Sequence, residues 1–251
     1  MCGRYASFRE DQTLADEFAI ATVADDVRLL GPSWNVAPTD GVRMVVERAD
    51  RETGEITRQL RLAKWGLVPS WAKDPSIGNR MINARAESLT SSNAYAKPFA
   101  ARRALLPADG YYEWQKIEQP GSKRPRKQPF YIHPSDGSVV ALAGLYEFWR
   151  DRSKADDDPD RWLVTATVIT RPASEELAAI HDRQPLMIRR EDWERWLDPA
   201  VDADEAGELL EGDPPPLEAT PVSPAVNAVA NNGPALVDPV DPIEGALGTE
   251  S

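Results

Sequence analysis

Cys2 is the only cysteine of the 251-residue chain. Removal of Met1 would make it the N-terminal residue, with an α-amine and a thiol on adjacent carbons. Their reference pKa values are about 7.7–8.0 and about 8.5, so near neutral pH part of the amine is uncharged and nucleophilic. A 1,2-aminothiol condenses with an aldehyde to an imine, and the thiol then closes a five-membered thiazolidine. An internal cysteine cannot do this, and with Met1 in place the α-amine is tied up in a peptide bond. Cysteine is small, which favours trimming of the initiator methionine. A lone cysteine is ordinarily a small buried hydrophobe, so position 2 is what singles this one out.

Four other residues have side chains suited to proton transfer or orientation. Asn83 and Arg85 alternate in Asn83-Ala-Arg-Ala-Glu87 after the apolar Met81-Ile82, so on extended chain they point one way. Glu113 lies within Tyr111-Tyr112-Glu113-Trp114, where a glutamate is either on a wet face or buried with a purpose. His181 follows a short helical pattern; a single histidine is more often a structural hydrogen-bond partner than a catalyst. Trp34, Trp65 and Trp71 lie near loops. Interleaved with Arg80, Arg85, Arg102 and Arg103, they are the residue types of a single-stranded nucleic-acid groove. No P-loop, G-x-G-x-x-G, H-E-x-x-H or paired C-x-x-C motif occurs. One cysteine and two histidines exclude an internal disulfide, a cysteine metal cluster and a histidine-rich metal site. No cofactor is expected.

The elements that must position these residues are short. Arg9–Ile20 has helical apolar spacing, and Glu175–Ile180, Glu191–Leu197 and Asp204–Leu210 read as short helices. Ser92 is placed to cap a helix running to Ala101, with Pro98 disturbing it. Strands are expected at Val42–Glu47 and Ile56–Ala63, joined by a turn around Asp50–Gly54. Further strands are expected at Ala104–Pro107, Tyr111–Gln115, Phe130–His133, Val139–Trp149 and Trp162–Thr170, with late ones at Ala219–Val222 and Ala235–Val240. Pro69–Asn83 reads as a loop and the polar, basic Glu118–Gln128 as an exposed hairpin tip. Many short strands without βα alternation predict an α+β fold: one domain with a mostly antiparallel β core, barrel-like or of two packed sheets, flanked by short helices. The domain is expected to span 1–240, with 241–251 an acidic disordered tail.

The net charge of −12 argues at first against a nucleic-acid partner, but its distribution does not. Residues 201–251 hold 11 acids and no Lys or Arg, whereas residues 51–150 are net +7. No stretch is long and apolar enough to span a bilayer, and the start lacks the basic and apolar regions of a signal peptide. The expected setting is therefore cytoplasmic, with a monomer as the default state.

The ordered motifs resemble the SRAP family of abasic-site processing proteins over nearly the whole chain. They are Met1-Cys-Gly-Arg-Tyr5, Trp34-Asn-Val-Ala-Pro38, Trp65-Gly-Leu-Val-Pro-Ser-Trp71, Asn83-Ala-Arg-Ala-Glu-Ser88 and Pro107-Ala-Asp-Gly-Tyr-Tyr-Glu-Trp114. Ala143-Gly-Leu-Tyr146, Thr170, Ile180-His-Asp-Arg183, Pro185-Leu-Met187 and Val222–Asn227 follow. The resemblance implies single-stranded DNA as partner, hence a nucleoid-associated setting when bound to DNA, and a covalent link to the ring-opened abasic sugar through Cys2. It also implies roles. Asn83 would hold the sugar or the cysteine, Glu113 would move protons during imine formation, and His181, supported by Thr170, would help open the sugar ring. Arg4 and Arg85 would clamp phosphates, with Asn35 and Trp65 supporting or stacking. The family's last strand would be Pro234–Val240. Ala230 stands where family members often carry a basic residue. Two other readings remain: an N-terminal-nucleophile autopeptidase built on Cys2, and a non-covalent single-strand or junction binder.

Arginine outnumbers lysine 22 to 7 in this acid-rich chain, a balance suited to high salt, where self-repulsion is screened within a few ångström. Thermal stability is expected to rise from low salt to molar KCl; a flat or falling melting curve counts against this.

Overall fold

Runs of β-branched and aromatic residues, broken by Gly, Pro and Asp, form strands that a computed structural model describes for residues 2–49, 54–119, 121 and 124–247. In chain order these are β1 (Tyr5–Ser7), β2 (Thr22–Val23), β3 (Ser33–Val36), β4 (Gly41–Ala49), β5 (Ile56–Trp65), β6 (Asn83–Arg85) and β7 (Arg103–Ala108). There follow β8 (Gly110–Ile117), β9 (Arg126–Pro134), β10 (Val140–Arg150), β11 (Trp162–Pro172), β12 (Arg183–Pro185) and β13 (Leu217–Pro221). The helices are short: α1 (Asp11–Glu17), α2 (Ala96–Ala101), α3 (Glu175–Ala178), α4 (Trp193–Leu197) and α5 (Ala203–Glu208). Among the described residues, no helix is long and apolar enough to cross a membrane.

Strand alternation sorts side chains between two cores. On β10, Val140, Leu142 and Tyr146 enter the same cluster as Cys2, while Ala141, Ala143 and Leu145 pack outward against Leu14, Phe99 and Trp196 of the helices. β4 and β7 follow the same rule: Val42, Met44, Val46, Ala104 and Leu106 point in, and Val45 and Leu105 point out. β4, β5, β11, β10 and β7 close on themselves. Every pairing in this ring is antiparallel except β5 with β11, where Thr165 and Ala166 lie beside Lys64 and Trp65. Closure removes the edges that an open sheet would leave unpaired. The architecture is thus the expected α+β type, a five-strand barrel joined to a second sheet in the order β13-β9-β8-β1-β3.

The chain leaves the barrel for the second sheet at Asp109-Gly110, so β7 and β8 are consecutive yet lie in different sheets. Asp109 fixes this corner by accepting the Phe8 N–H and Arg9 Nε at 2.8 Å each. A Cβ on Gly110 would lie 2.6 Å from the Tyr131 ring, so only glycine fits. β8 and β9 form a hairpin, paired from Tyr111–Ile132 to Ile117–Arg126, so Arg126–Gln128, expected in an exposed tip, belong to β9 and Gln128 is buried. Residues 50–53, the expected turn between β4 and β5, lie outside the described residues; the strands flanking it pair through Ala49–Ile56.

Four expectations need correction. The helix expected from Ser92 begins at Ala96 and takes Pro98 in its first turn, where a missing N–H leaves no intrahelical bond unmade. The Pro69–Asn83 loop contains a 3₁₀ turn, Pro75–Arg80, capped by the Asp74 side chain. Pro234–Val240 is not a strand: Pro234–Leu236 is a 3₁₀ turn, and a single bridge joins Val222 to Pro239. Residues 241–247 are not a loose tail. Ala246 is buried in the Cys2 cluster, and the Ile243 and Leu247 N–H groups are bonded to β9 and β8 side chains.

Gly66 turns the chain out of β5 at φ +120, and a Cβ there would meet the Gly78 carbonyl oxygen at 2.5 Å. Gly66→Ala should therefore cost about 3 kcal/mol or more through backbone strain and contact. Urea unfolding checks this; a loss within the few tenths typical of a surface change would contradict it.

Candidate active site

β1 is an interior strand, paired with β3 through Tyr5–Val36 and with β8 through Tyr5–Tyr111. The pairing continues past its end, with the Tyr112 N–H donating to the Arg4 carbonyl at 3.0 Å. Carried on, this register sets Glu113 opposite Gly3. Cys2 is thus held in the apolar cluster between barrel and second sheet, wholly buried, near Tyr5, Trp65 and Tyr111. Burial pushes its thiol well above the ordinary range, and the nearby Glu113 charge adds to this.

Asn83 comes from β6, which runs parallel to β11 with Asn83 beside Val168. Its Nδ2 donates to the Cys2 carbonyl at 2.8 Å. Its Oδ1 is buried and has no hydrogen-bond partner among the described residues. The Tyr95 hydroxyl anchors the Asn83 backbone by donating to its carbonyl at 3.1 Å.

Glu113 is 3% exposed, and burial raises its pKa to about 7. His181 closes the α3 turn, its N–H on the Leu177 carbonyl at 3.1 Å. Its Nε2 lies 4.0 Å from Glu113 Oε2, too far for a direct hydrogen bond. Nδ1 lies 3.0 Å both from the Arg183 N–H and from Asp182 Oδ1. The first contact requires a bare Nδ1 and the second a protonated one. Burial lowers the His181 pKa against the pull of Asp182, and Asp182 is highly exposed, which favours the neutral ring. The proton then sits on Nε2, facing Glu113.

Arg183 had no assigned role in the sequence, although it follows His181 by two residues. Its guanidinium joins Glu87 to Thr170, with Nη2 donating to the Thr170 carbonyl at 2.7 Å and to its hydroxyl at 3.4 Å. Thr170 is fully buried and meets the site through Arg183. The structure therefore brings together Cys2, Asn83, Glu113 and His181, with Arg183 and Tyr95 behind them.

The expected DNA-contact residues divide. Arg85 is exposed at the end of β6, on the same side of the strand as Asn83. Arg4 is largely committed within the protein: Nη1 donates to Asn35 Oδ1 at 2.6 Å and to the Val226 carbonyl at 2.9 Å, and Nη2 to the Asn227 carbonyl at 3.4 Å. Asn35 is buried, and its Nδ2 grips the carbonyls of Val226, Ala228 and Asn231. It ties the N-terminal strand to the late chain and is no ligand residue. Trp65 cannot stack on a base: it is 0% exposed, edge-on to Tyr5, with Nε1 donating to the Ile82 carbonyl at 2.8 Å. The open tryptophan of that motif is Trp71, at 56% exposure. Ala230 is exposed in the turn whose carbonyls hold Asn35.

The sequence profile described as SOS response associated peptidase (SRAP) matches residues 1–229. The chain belongs to the SRAP family. Among its relatives, this SRAP protein is 35% identical over 240 residues to the abasic site processing protein YoqW of Bacillus subtilis, covering 95% of this chain and 99% of that one. It is 30% identical over 250 residues to the abasic site processing protein YedK of Escherichia coli, covering 96% and 100%. The SRAP fold itself recurs in a crystal structure of a protein from Bacteroides thetaiotaomicron, with TM-score 0.78, 20% identity, and coverage of 95% of this chain and 100% of that one.

Because Glu113 binds its proton more tightly folded than unfolded, stability falls as pH rises from the ordinary carboxylate range through about 7, and is level on either side. Glu113→Gln removes this loss. The variant should gain up to about 3 kcal/mol over the parent at pH 8, a gap that closes by about pH 4. Urea unfolding at the two pH values reads it; the same gap at both would refute a buried, proton-holding Glu113.

Proposed function

We propose that this protein processes abasic sites in single-stranded DNA by covalent capture at Cys2. The observation that carries the reading is the convergence of Asn83, Glu113 and His181 on the second residue of the chain. The names of the relatives support abasic sites as what is processed. Once Met1 is removed, the Cys2 amine attacks C1′ of the ring-opened deoxyribose. A C–N bond forms, and loss of water leaves an imine. The thiol adds to that carbon, its proton passes to nitrogen, and the thiazolidine closes. One water leaves overall, and no oxidant or reductant is needed.

Each residue has a part in this. The thiol is held protonated by burial, so the amine is the first nucleophile and the sulfur the second. A carboxyl with a pKa of about 7 is poised both to accept and to return a proton near neutral pH, as successive addition and dehydration require. His181, with its proton on Nε2, reaches toward the sugar ring oxygen from the more open side of the cluster. Asn83 fixes Cys2 through its carbonyl, while its Oδ1 accepts from a sugar hydroxyl or from the Cys2 amine. Arg85 meets a flanking phosphate, and Trp71 takes the stacking role that Trp65 cannot. An imine left open would draw electrons from the sugar and promote strand cleavage. The saturated ring removes that sink and protects the strand.

The family's peptidase description favours a second reading, in which Cys2 is an N-terminal nucleophile activated by Glu113 or His181.

Incubated with an abasic single-stranded oligonucleotide, the protein should give a crosslink that survives boiling in SDS, and Cys2→Ala should give none. Retention of the crosslink in Cys2→Ala overturns covalent capture at Cys2. Full protection of the oligonucleotide by Cys2→Ala supports a non-covalent binder instead. Intact mass decides the second reading: Met1 lost from a Glu113→Gln, His181→Ala protein with Cys2 intact excludes self-trimming.

A further inference from the structure

Beyond Val240 the chain crosses the β8–β9 hairpin on the face that carries Glu113. Tyr111, Glu113, Gln115 and Ile117 alternate onto one side of β8. Gln115 stands directly across from Gln128 of β9. The Gln115 amide oxygen accepts the Leu247 N–H at 2.8 Å, and the Gln128 oxygen accepts the Ile243 N–H at 3.1 Å. Gln128 is 2% exposed, and its Nε2 donates to the Pro129 and Val222 carbonyls at 2.8 and 3.1 Å, which turns the oxygen toward the crossing segment. Gly245, at φ +84, lies against Ile117, and Ala246 is buried. Residues 241–247 therefore form a strap with a built seat, a cross-strand glutamine pair that holds two main-chain donors four residues apart. The strap lies outside residues 1–229 that match the family.

Charge gives the seat its meaning. Residues 241–251 contain Asp241, Glu244 and Glu250 and no base, while the hairpin's residues 116–127 hold five bases against one acid. Glu244 shares a surface cleft of about 510 Å³ with Arg126, Ile117 and Glu118. Arg126 pairs with Ile117 and so shares the strap's face, whereas Lys116 and Lys127 pair with each other on the opposite face. A DNA strand reaching Glu113 along the strap's side would bring a phosphate to Arg126, the cation in the cleft with Glu244. We propose that the basic β8–β9 hairpin is a phosphate-binding surface for single-stranded nucleic acid, and that the acidic strap is its tethered competitor. This rests on the single-stranded DNA reading above. Tethering at Val240 gives the strap an effective concentration on the order of millimolar. Intact strands that bind weakly are held off, whereas a lesion that can be captured covalently needs only transient entry.

The test uses the full chain, a truncation after Val240, and the double variant Asp241→Asn, Glu244→Gln, which keeps both glutamine contacts. Non-covalent binding of a fluorescent single-stranded oligonucleotide without any abasic site is measured across a KCl series. The truncation should tighten binding about tenfold at low salt and steepen the log–log salt slope by about 0.7 for each cation uncovered. The double variant should tighten it about threefold. A truncation that lowers the melting temperature but leaves affinity and slope unchanged overturns the proposal, because the strap is then only structural. A double variant that binds like the parent overturns charge competition. Crosslinking of an abasic oligonucleotide, run in parallel, reports on Cys2 chemistry alone: tightened binding without a crosslink keeps the strap and sinks covalent capture.

Discussion

Chain ends fray unless they are tied down, yet the chemistry inferred here needs the second residue of the chain at a fixed place. The interaction on which everything else depends is the 2.8 Å hydrogen bond from Asn83 to the Cys2 carbonyl, together with the pairing of β1 on both edges. A terminal segment held from both sides and from above behaves like core. That permits full burial of Cys2, and burial in turn sets the protonation of its thiol and of Glu113. The barrel matters because β11 carries β6, and β6 carries Asn83. The second sheet matters because β8 sets Glu113 against the start of the chain.

The alternation of Val42–Val46, of Leu105–Leu106 and of β10 was legible in the sequence, because a strand buried on both faces shows long apolar runs whose parity decides the core. The convergence of Asn83, Glu113 and His181 was not legible from their types. They come from three elements joined only by non-local pairings, and it was the motif resemblance that set them side by side. Trp65 and Asn35 show the converse. Both stand in strong motifs, yet their polar atoms are used inside the protein. A motif marks a constrained residue without saying whether the constraint is a ligand or a neighbour. Arg183 was overlooked because its type does not show that it joins Thr170, on the neighbouring strand, to Glu87, 96 residues away.

The late chain was read least well. Pro234–Val240 has strand-like composition, but its prolines cannot donate to a ladder, and it settles as a 3₁₀ turn and one bridge. The last ten residues hold only Ile243, Ala246 and Leu247 as apolar side chains, which suggested disorder. Residues 241–247 are held instead by Ala246 and Ile243 in the Cys2 cluster and by glutamine oxygens on their backbone, an interaction that leaves no trace in hydropathy. The charge arithmetic changes accordingly. Residues 241–247, with Asp241 and Glu244, lie against the β8–β9 hairpin beside the site, and net charge alone hides that neighbourhood.

The grip of Asn35 on the carbonyls of Val226, Ala228 and Asn231 spans up to 196 residues of sequence. During synthesis the N-terminal strand emerges long before these carbonyls do. Arg4 and Asn35 gain these partners only after residues 226–231 have left the ribosome, whereas the strands that flank β1 have been made long before.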